Sequence, residues 1–279
     1  MSDTTALGDR MKGYEHVTRG VLPRRTYTII RVDGRAFHTF LAHADRPFDE
    51  AVVEAMNAVA VALCGQAQGA VFAYTQSDEC SLLLTDFASR TTQPWFGGVI
   101  QKIASISAAV ASVAFNQAYG YHYDDACAVF DARVFTLPDA VEVANYFLWR
   151  QRDCVRNSIT MAAQARFSHR QLQGVTTEQM QEMLWQGHGI NWNDYPAGMK
   201  RGRVIVRDTA ERDITYTDRR TSQTTTTQVL RSAWTAQDAP HFTADPSGWL
   251  AATIPAQAAL APAAPAATGH FLPEVAGEH

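Results

Sequence analysis

Residues 73–84 read AYTQSDECSLLL, an apolar strand text broken in its middle by Ser77, Asp78 and Glu79. Upstream, residues 29–40 read IIRVDGRAFHTF, where a β-branched run from Ile29 to Val32 leads directly into Asp33 and Gly34. The alternation from Thr26 to Val32 predicts a strand that ends at Asp33-Gly34. After Pro47, Asp49 is placed to cap a helix running to about Cys64, with Val52, Val53, Met56, Val59, Ala60 and Leu63 on one face and Gly65 and Gly69 closing it. Ala70–Tyr74 and Cys80–Thr85 then form a hairpin whose polar tip is TQSDE. A second helix over about Gly98–Asn116 and a strand over about Val129–Leu137 complete a β-α-β-β-α-β order. This is the split βαβ pattern of ferredoxin-like α+β domains. In it the first two strands run parallel with the third between them, so Asp33 and Asp78 are expected at the same sheet edge.

A chain of 279 residues with 46% hydrophobic residues and 10% aromatics can bury a sizeable core. The formal charge of −4 gives no global reason for a nucleic-acid partner, although local basic patches remain open. Cys64, Cys80, Cys127 and Cys154 lie far apart, which argues against a zinc site or a disulfide framework and fits a reducing cytosol. The N-terminal text is too polar for a signal peptide, and no apolar run approaches the ~18 residues of a membrane span. A cytoplasmic protein without membrane attachment is expected.

Asp139 is placed to cap a long helix carrying Arg150, Arg152 and Arg156, and TTEQMQEMLWQG reads as a shorter helix with a threonine cap. From Arg201, RGRVIVRDT and RDITYTDRR return to strand-like alternation. The organisation expected is therefore a split βαβ core over 1–138, a helical and mixed lobe over 139–245 that completes it, and a flexible Ala/Pro-rich tail over 246–279.

Two carboxylates at one sheet edge beside a glycine suit hard cations. Magnesium takes carboxylate and carbonyl oxygens and fills its remaining positions with waters or phosphate oxygens. A pair of such ions would stabilise the attacking and leaving oxygens of a displacement at phosphorus. DGRAFHTF would supply backbone N–H groups to a triphosphate, with Arg35, His38, Arg46 and Lys102 as charge partners. Plainer readings stand beside these. Asp-Gly after a strand is an ordinary turn, and acids at a hairpin tip are ordinary solvated residues. Lys102 can merely snorkel, His38 can be structural, and the three arginines can be a solvated helix face.

IIRVDGRAFHTF, AYTQSDECSLLL, FDARVFTLP (130–138) and YFLWRQRDCVRNSI (146–159), in this order, resemble the tRNA-histidine guanylyltransferase superfamily of 3′-5′ nucleotide polymerases. The likeness runs over roughly residues 11–245. It implies a polymerase-type palm with added helices and a small C-terminal lobe. It also implies two Mg2+ ions, ATP or GTP as activating nucleotide, NTP substrates, tRNA or tRNA-like RNA, and a homotetramer built as a dimer of dimers. By the resemblance, Asp33 and Asp78 are catalytic and hold metal with the Gly34 carbonyl. Arg35, Ala36, Phe37, His38, Ser77, Glu79 and Lys102 match nucleotide-binding positions, as do Arg46 and Asp49 after a shorter loop. Arg133, Arg150, Asp153, Arg156, Asn157, Asn193, Lys200 and Arg201 match positions supporting RNA contact or activity.

Where enzymes acting on histidine tRNA carry HINNLYN, this chain has VRNSITM from Val155 to Met161, which keeps Asn157 and lacks the histidine and tyrosine. RNSI is similar to the guanylyltransferase-like proteins, which repair 5′-truncated tRNAs by copying the opposite strand. Template-dependent addition after 5′ activation is therefore implied, with addition of G at position −1 of tRNA(His) as the alternative. A palm-type nucleotidyl cyclase is the further rival, disfavoured by TQSDE in place of a GGDEF-like hairpin and by WRQRDC.

Overall fold

The computed structural model describes residues 5–120, 127–243 and 248–257. Four strands carry the expected pattern: β1 (Tyr27–Gly34), β2 (Ala70–Gln76), β3 (Glu79–Thr85) and β4 (Phe130–Leu137). They belong to a six-stranded sheet of order β4-β1-β3-β2-β5-β6, in which β5 is Arg203–Thr217 and β6 is Thr224–Asp238. Because β3 is antiparallel to both β1 and β2, those two run parallel with β3 between them, as the split βαβ order requires. Both hairpin strands reach further than TQSDE suggests. Only Ser77 and Asp78 remain as the turn, with Ser77 at φ 49°.

Alternation sends successive side chains to opposite faces, and both faces are covered, which is why these strands read as near-continuous apolar runs. Ile30, Val32, Ala73, Leu82 and Leu84 pack under α3 (Glu50–Gln66) and α4 (Ile100–Tyr119) with Met56, Val59, Leu63, Ile103 and Phe115. Tyr27, Ile29, Phe72, Tyr74 and Leu83 pack on the other face against Val143, Phe147 and Cys154 of α5 (Ala140–Gln164). Asp49 caps α3 by accepting from Val52 N at 3.0 Å, and Asp139 caps α5 by accepting from Glu142 N at 2.8 Å. Gly69 sits at φ +84°, and a Cβ there would lie 2.3 Å from the Thr85 carbonyl oxygen, so no side chain fits this entry to β2.

The far end of α5 packs through Ile159, Ala162 and Ala163 against Leu172, Met180, Leu184 and Trp192. These last come from α6 (His169–Leu172), α7 (Thr177–His188), which Thr176 caps, and the turn Trp192–Asp194 that precedes α8 (Ala197–Arg201). The alternation in RGRVIVRDT and RDITYTDRR belongs to one strand, β5. β5 pairs with β2 over Arg203–Ile205, extending the same sheet, and then continues with β6 as a two-stranded arm. Alternation revealed the strands but held no information about the sheet edge they join.

The expectation of a flexible extension from residue 246 does not hold for 248–257. There α9 (Trp249–Thr253) lays Trp249 on Phe242 at 5.7 Å, buries Leu250 and Ile254, and Tyr27 Oη donates to Pro255 O at 2.7 Å. Three apolar anchors outweigh the low-complexity composition around them. Residues 246–247 and 258–279 of that expected tail lie outside the described residues. No helix among the described residues is long and apolar enough to cross a membrane.

Candidate active site

The antiparallel registers gather charge at one edge of the sheet. Arg31 and Asp33 share a face of β1. Arg31 is paired with Ser81 and Arg133, and Asp33 with Glu79 and Asp131. Gly34 N donates to the Asp78 carbonyl at 3.0 Å, fastening the end of β1 to the hairpin tip. Asp33 and Asp78 are thus brought together.

Asp33 Oδ2 is 2.9 Å from Arg31 Nη2 and 3.8 Å from Arg133 Nη1. Arg31 also reaches Glu79 Oε2, at 3.1 Å from its Nε, while Arg150 Nε lies 2.8 Å from Glu79 Oε1. Both Nε atoms are within ion-pair distance, yet neither is aligned for a hydrogen bond. Arg150 is buried rather than part of a solvated helix face, and its Nη2 holds Asp153 at 2.5 Å. Asp153 also pairs with Arg156, which is exposed.

Burial is the main reason the Asp78 carboxyl stands above its ordinary pKa, and the negative charge of Asp33 adds to it. Burial likewise raises Glu79, against the opposing pull of Arg150 and Arg31. Asp33 and Asp78 are therefore hard oxygen donors whose mutual repulsion a divalent cation would relieve. That fits magnesium, which needs only one or two carboxylates when phosphate and water complete its shell. Among the described residues no group of three or more His, Cys, Asp or Glu is arranged to hold a metal by itself.

Beside the acids lies a cavity of about 340 Å³, inside the roughly 300–1,000 Å³ range of ligand sites. Its polar lining includes His38, Arg46, Asp49, Ser77, Asp78 and Asn157, and its apolar lining includes Phe37, Leu41, Phe48, Val52, Met161 and Met199. Gly34 sets this wall. Phe37 packs so close that any Cβ at residue 34 would lie 2.3 Å from its ring. Ala36, at φ 55°, then turns the chain into the short helix α2 (Phe37–Phe40), so that Arg35 and His38 stay exposed while Phe37 is buried. Asp49 holds the loop as well as lining the cavity, since Oδ2 accepts from Asp45 N at 2.9 Å.

Other expected residues stand elsewhere. Lys102 is exposed on α4 and is not among the lining residues. Glu79 is enclosed between its two arginines. Lys200 is buried, donates to the Asn193 carbonyl, and rests 5.6 Å from the Trp192 ring centroid. Desolvation lowers its pKa. Arg201 is partly buried, and Tyr74 Oη donates to its carbonyl at 2.8 Å. Three residues were not singled out from sequence: Arg31, Gln76 and Arg203. Arg31, two positions before Asp33 on a strand, carried a usable signal in its period of two. Gln76 and Arg203 line the cavity, and nothing local in the text marks them.

A split βαβ sheet whose edge sets paired carboxylates beside a cavity of this size has the architecture of a polymerase-type palm. Comparison with known proteins makes this specific. The family model described as tRNAHis guanylyltransferase matches residues 8–138, and that described as Thg1 C terminal domain matches residues 141–240. The chain belongs to the tRNA(His) guanylyltransferase family, whose members are nucleotidyltransferases. It is 30% identical over 201 residues to the tRNA(His) guanylyltransferase of Debaryomyces hansenii, covering 66% of this chain and 74% of that one. A bacterial tRNA(His) guanylyltransferase-like protein solved in complex with ATP is 38% identical, with a TM-score of 0.76 over 89% of this chain and 99% of that one. A similar structure in complex with GTP is also 38% identical, with a TM-score of 0.69 over 86% and 94% of the two chains.

Proposed function

We propose that this chain is a template-dependent 3′-5′ nucleotidyltransferase that adds NTPs to the 5′ end of truncated tRNA or tRNA-like RNA after activating that end with ATP or GTP. The observation that carries the reading is the convergence of Asp33 and Asp78 beside a cavity lined by His38, Arg46, Ser77 and Asn157. Asp33, Asp78 and the Gly34 carbonyl would hold two Mg2+ ions. Bound magnesium would supply charge neutralisation at the phosphoryl oxygens.

The residues of the chain divide the remaining work. The apolar walls, Phe48 and Met161 among them, would exclude water and pack a base, while Ser77, His38 and the backbone around Ala36 meet phosphate oxygens. In the first displacement an oxygen of the RNA 5′-monophosphate bonds to the α-phosphorus of ATP or GTP, and pyrophosphate leaves. In the second, the 3′-hydroxyl of the incoming NTP bonds to that 5′-phosphorus and the nucleoside monophosphate leaves. An RNA with a 5′-triphosphate enters at the second displacement. Arg133 and Arg156, both more than half exposed, would meet RNA phosphates near this edge. VRNSITM in place of HINNLYN supports templated addition over obligatory addition of G.

Exposed Leu7, Met11 and Tyr14 lie on one face of α1 (Ala6–His16), a helix with no buried residue, and Ile106 and Val113 are exposed on α4. They support assembly of copies of this chain, by family likeness a dimer of dimers. The four free cysteines support a reducing cytosol.

The test is incubation of labelled 5′-truncated tRNA with magnesium and all four NTPs. Asp33→Ala and Asp78→Ala should abolish 5′ extension while keeping the parent's circular dichroism. Parent-like turnover by either folded variant, or cyclic dinucleotide as the product, would sink the proposal.

A further inference from the structure

Six side chains of alternating charge run from the outer face of α5 to the sheet edge: Arg156, Asp153, Arg150, Glu79, Arg31 and Asp33. Each touches the next. Arg156 contacts Asp153 Oδ1, Asp153 Oδ2 is 2.5 Å from Arg150, Arg150 is 2.8 Å from Glu79, Glu79 is 3.1 Å from Arg31, and Arg31 is 2.9 Å from Asp33. The middle is dry and the outer end is wet: the side chains of Arg150 and Glu79 are 5% and 8% exposed, and Arg156 is 63% exposed. Interactions in the middle are therefore weakly screened, while Arg156, though paired with Asp153, is exposed to an outside anion. Facing this chain of contacts are also Arg133, 3.8 Å from Asp33, Asp78, whose carboxyl feels the charges of Asp33 and Arg31, Tyr146, joined to Ser81 beside Glu79, and the Trp149 ring, 4.2 Å from the Arg150 guanidinium.

Resting on the RNA and magnesium reading given above, we propose that Glu79 and Asp153 are positioning residues. They tie the capture of an RNA phosphate at Arg156 to the release of Asp33 for a divalent cation. The sign follows from the alternation. A phosphate that draws Arg156 away leaves Asp153 with one arginine, so Asp153 holds Arg150 more tightly. Glu79 loses part of Arg150 and gains hold on Arg31, and Arg31 loosens from Asp33. The freed carboxylate oxygen then faces the cation. Binding of RNA and of cation is thereby cooperative, and reciprocal by linkage. Glu79, saturated by two arginines, acts through Arg31 rather than by touching nucleotide.

Coupling between sites commonly spans about 5–150-fold, and a solvent-screened first contact places this one near the low end, about fivefold. The test measures Mn2+ affinity of the full chain by electron paramagnetic resonance, with and without a 5′-monophosphorylated truncated tRNA. Mn2+ taken up by the RNA itself is common to all variants and cancels between them. The parent should bind Mn2+ about fivefold more tightly with RNA than Asp153→Asn or Glu79→Gln does, while Asp153→Glu, which keeps the charge, restores most of the gain. Asp153 is partly exposed, so its variants remain informative where Glu79→Gln fails to fold. An RNA-induced gain in Asp153→Asn equal to the parent's overturns the relay and leaves the metal assignment standing. Unchanged Mn2+ affinity in Asp33→Ala overturns both.

Discussion

Replacing Gly34 by alanine should damage stability and catalysis together. The added Cβ would lie 2.3 Å from Phe37 Cδ2 and 2.5 Å from Cγ and Cε2, well inside contact distance. The ring cannot step aside cheaply, because Phe40, Phe115 and Phe130 surround it at centroid distances of 5.4, 5.1 and 5.0 Å. Overpacking of this kind costs about 1–3 kcal/mol. At ~2–4 °C per kcal/mol for a domain near this size, Tm should fall by roughly 2–12 °C, leaving the protein folded at 25 °C. Residues 34–38 join the Asp33 carboxylate to the cavity wall, and a shift of about 1 Å there can cost ~100-fold in rate. The assay is a thermal melt beside single-turnover 5′ addition, for Gly34→Ala in the parent and in a Phe37→Leu background. The smaller leucine should absorb the methyl group, giving a coupling of about 0.5–3 kcal/mol. An unchanged Tm in Gly34→Ala, or an equal penalty in both backgrounds, would refute the packing argument.

Asp78→Asn should be inactive yet more stable than the parent at neutral pH without divalent cations. The folded carboxyl has a raised pKa, so its ionised form opposes folding above that pKa. The advantage should shrink as pH falls through the raised value; an Asn variant that melts lower at neutral pH contradicts the sign. Arg150→Met should cost about 3–5 kcal/mol by leaving Glu79 and Asp153 short of a partner, whereas the exposed neighbour Arg152→Ala should stay within about 0.5 kcal/mol. Equal urea midpoints for the two would return Arg150 to the solvated face. Iodoacetamide at pH 8 should label the exposed Cys127 first, since burial raises the Cys154 thiol to about 12 and keeps it protonated. Rapid labelling of Cys154 in native protein would show that the cavity wall opens.

The split βαβ order was legible because each strand and helix carries its own period, and Asp49 and Asp139 mark helix starts with side chains that do cap. The meeting of Asp33 and Asp78 followed from topology alone. Arg150 was not legible: in the text it sits between Trp149 and Gln151 like any surface arginine. Only the packing of α5 over Glu79 makes it interior. Lys200 misleads in the same way, since a lysine near a helix end reads as solvated and here folds under onto the Asn193 carbonyl. The joining of β5 to β2 depends on which edge is free in space, a property with no local periodicity. Arg203 reaches the cavity only through that pairing.

The proposed function makes the template, not a fixed preference for G, the selector of the added nucleotide. It is tested most directly by single-nucleotide addition to 5′-truncated tRNAs whose unpaired template base is varied through all four identities. A mispaired NTP loses its hydrogen bonds and stacking, so its 3′-hydroxyl is poorly placed, and misplacement near 1 Å can cost ~100-fold. The nucleotide added should be the complement of the template base in each tRNA; addition of G whatever the template would contradict the account and indicate a tRNA(His) guanylyltransferase acting at position −1.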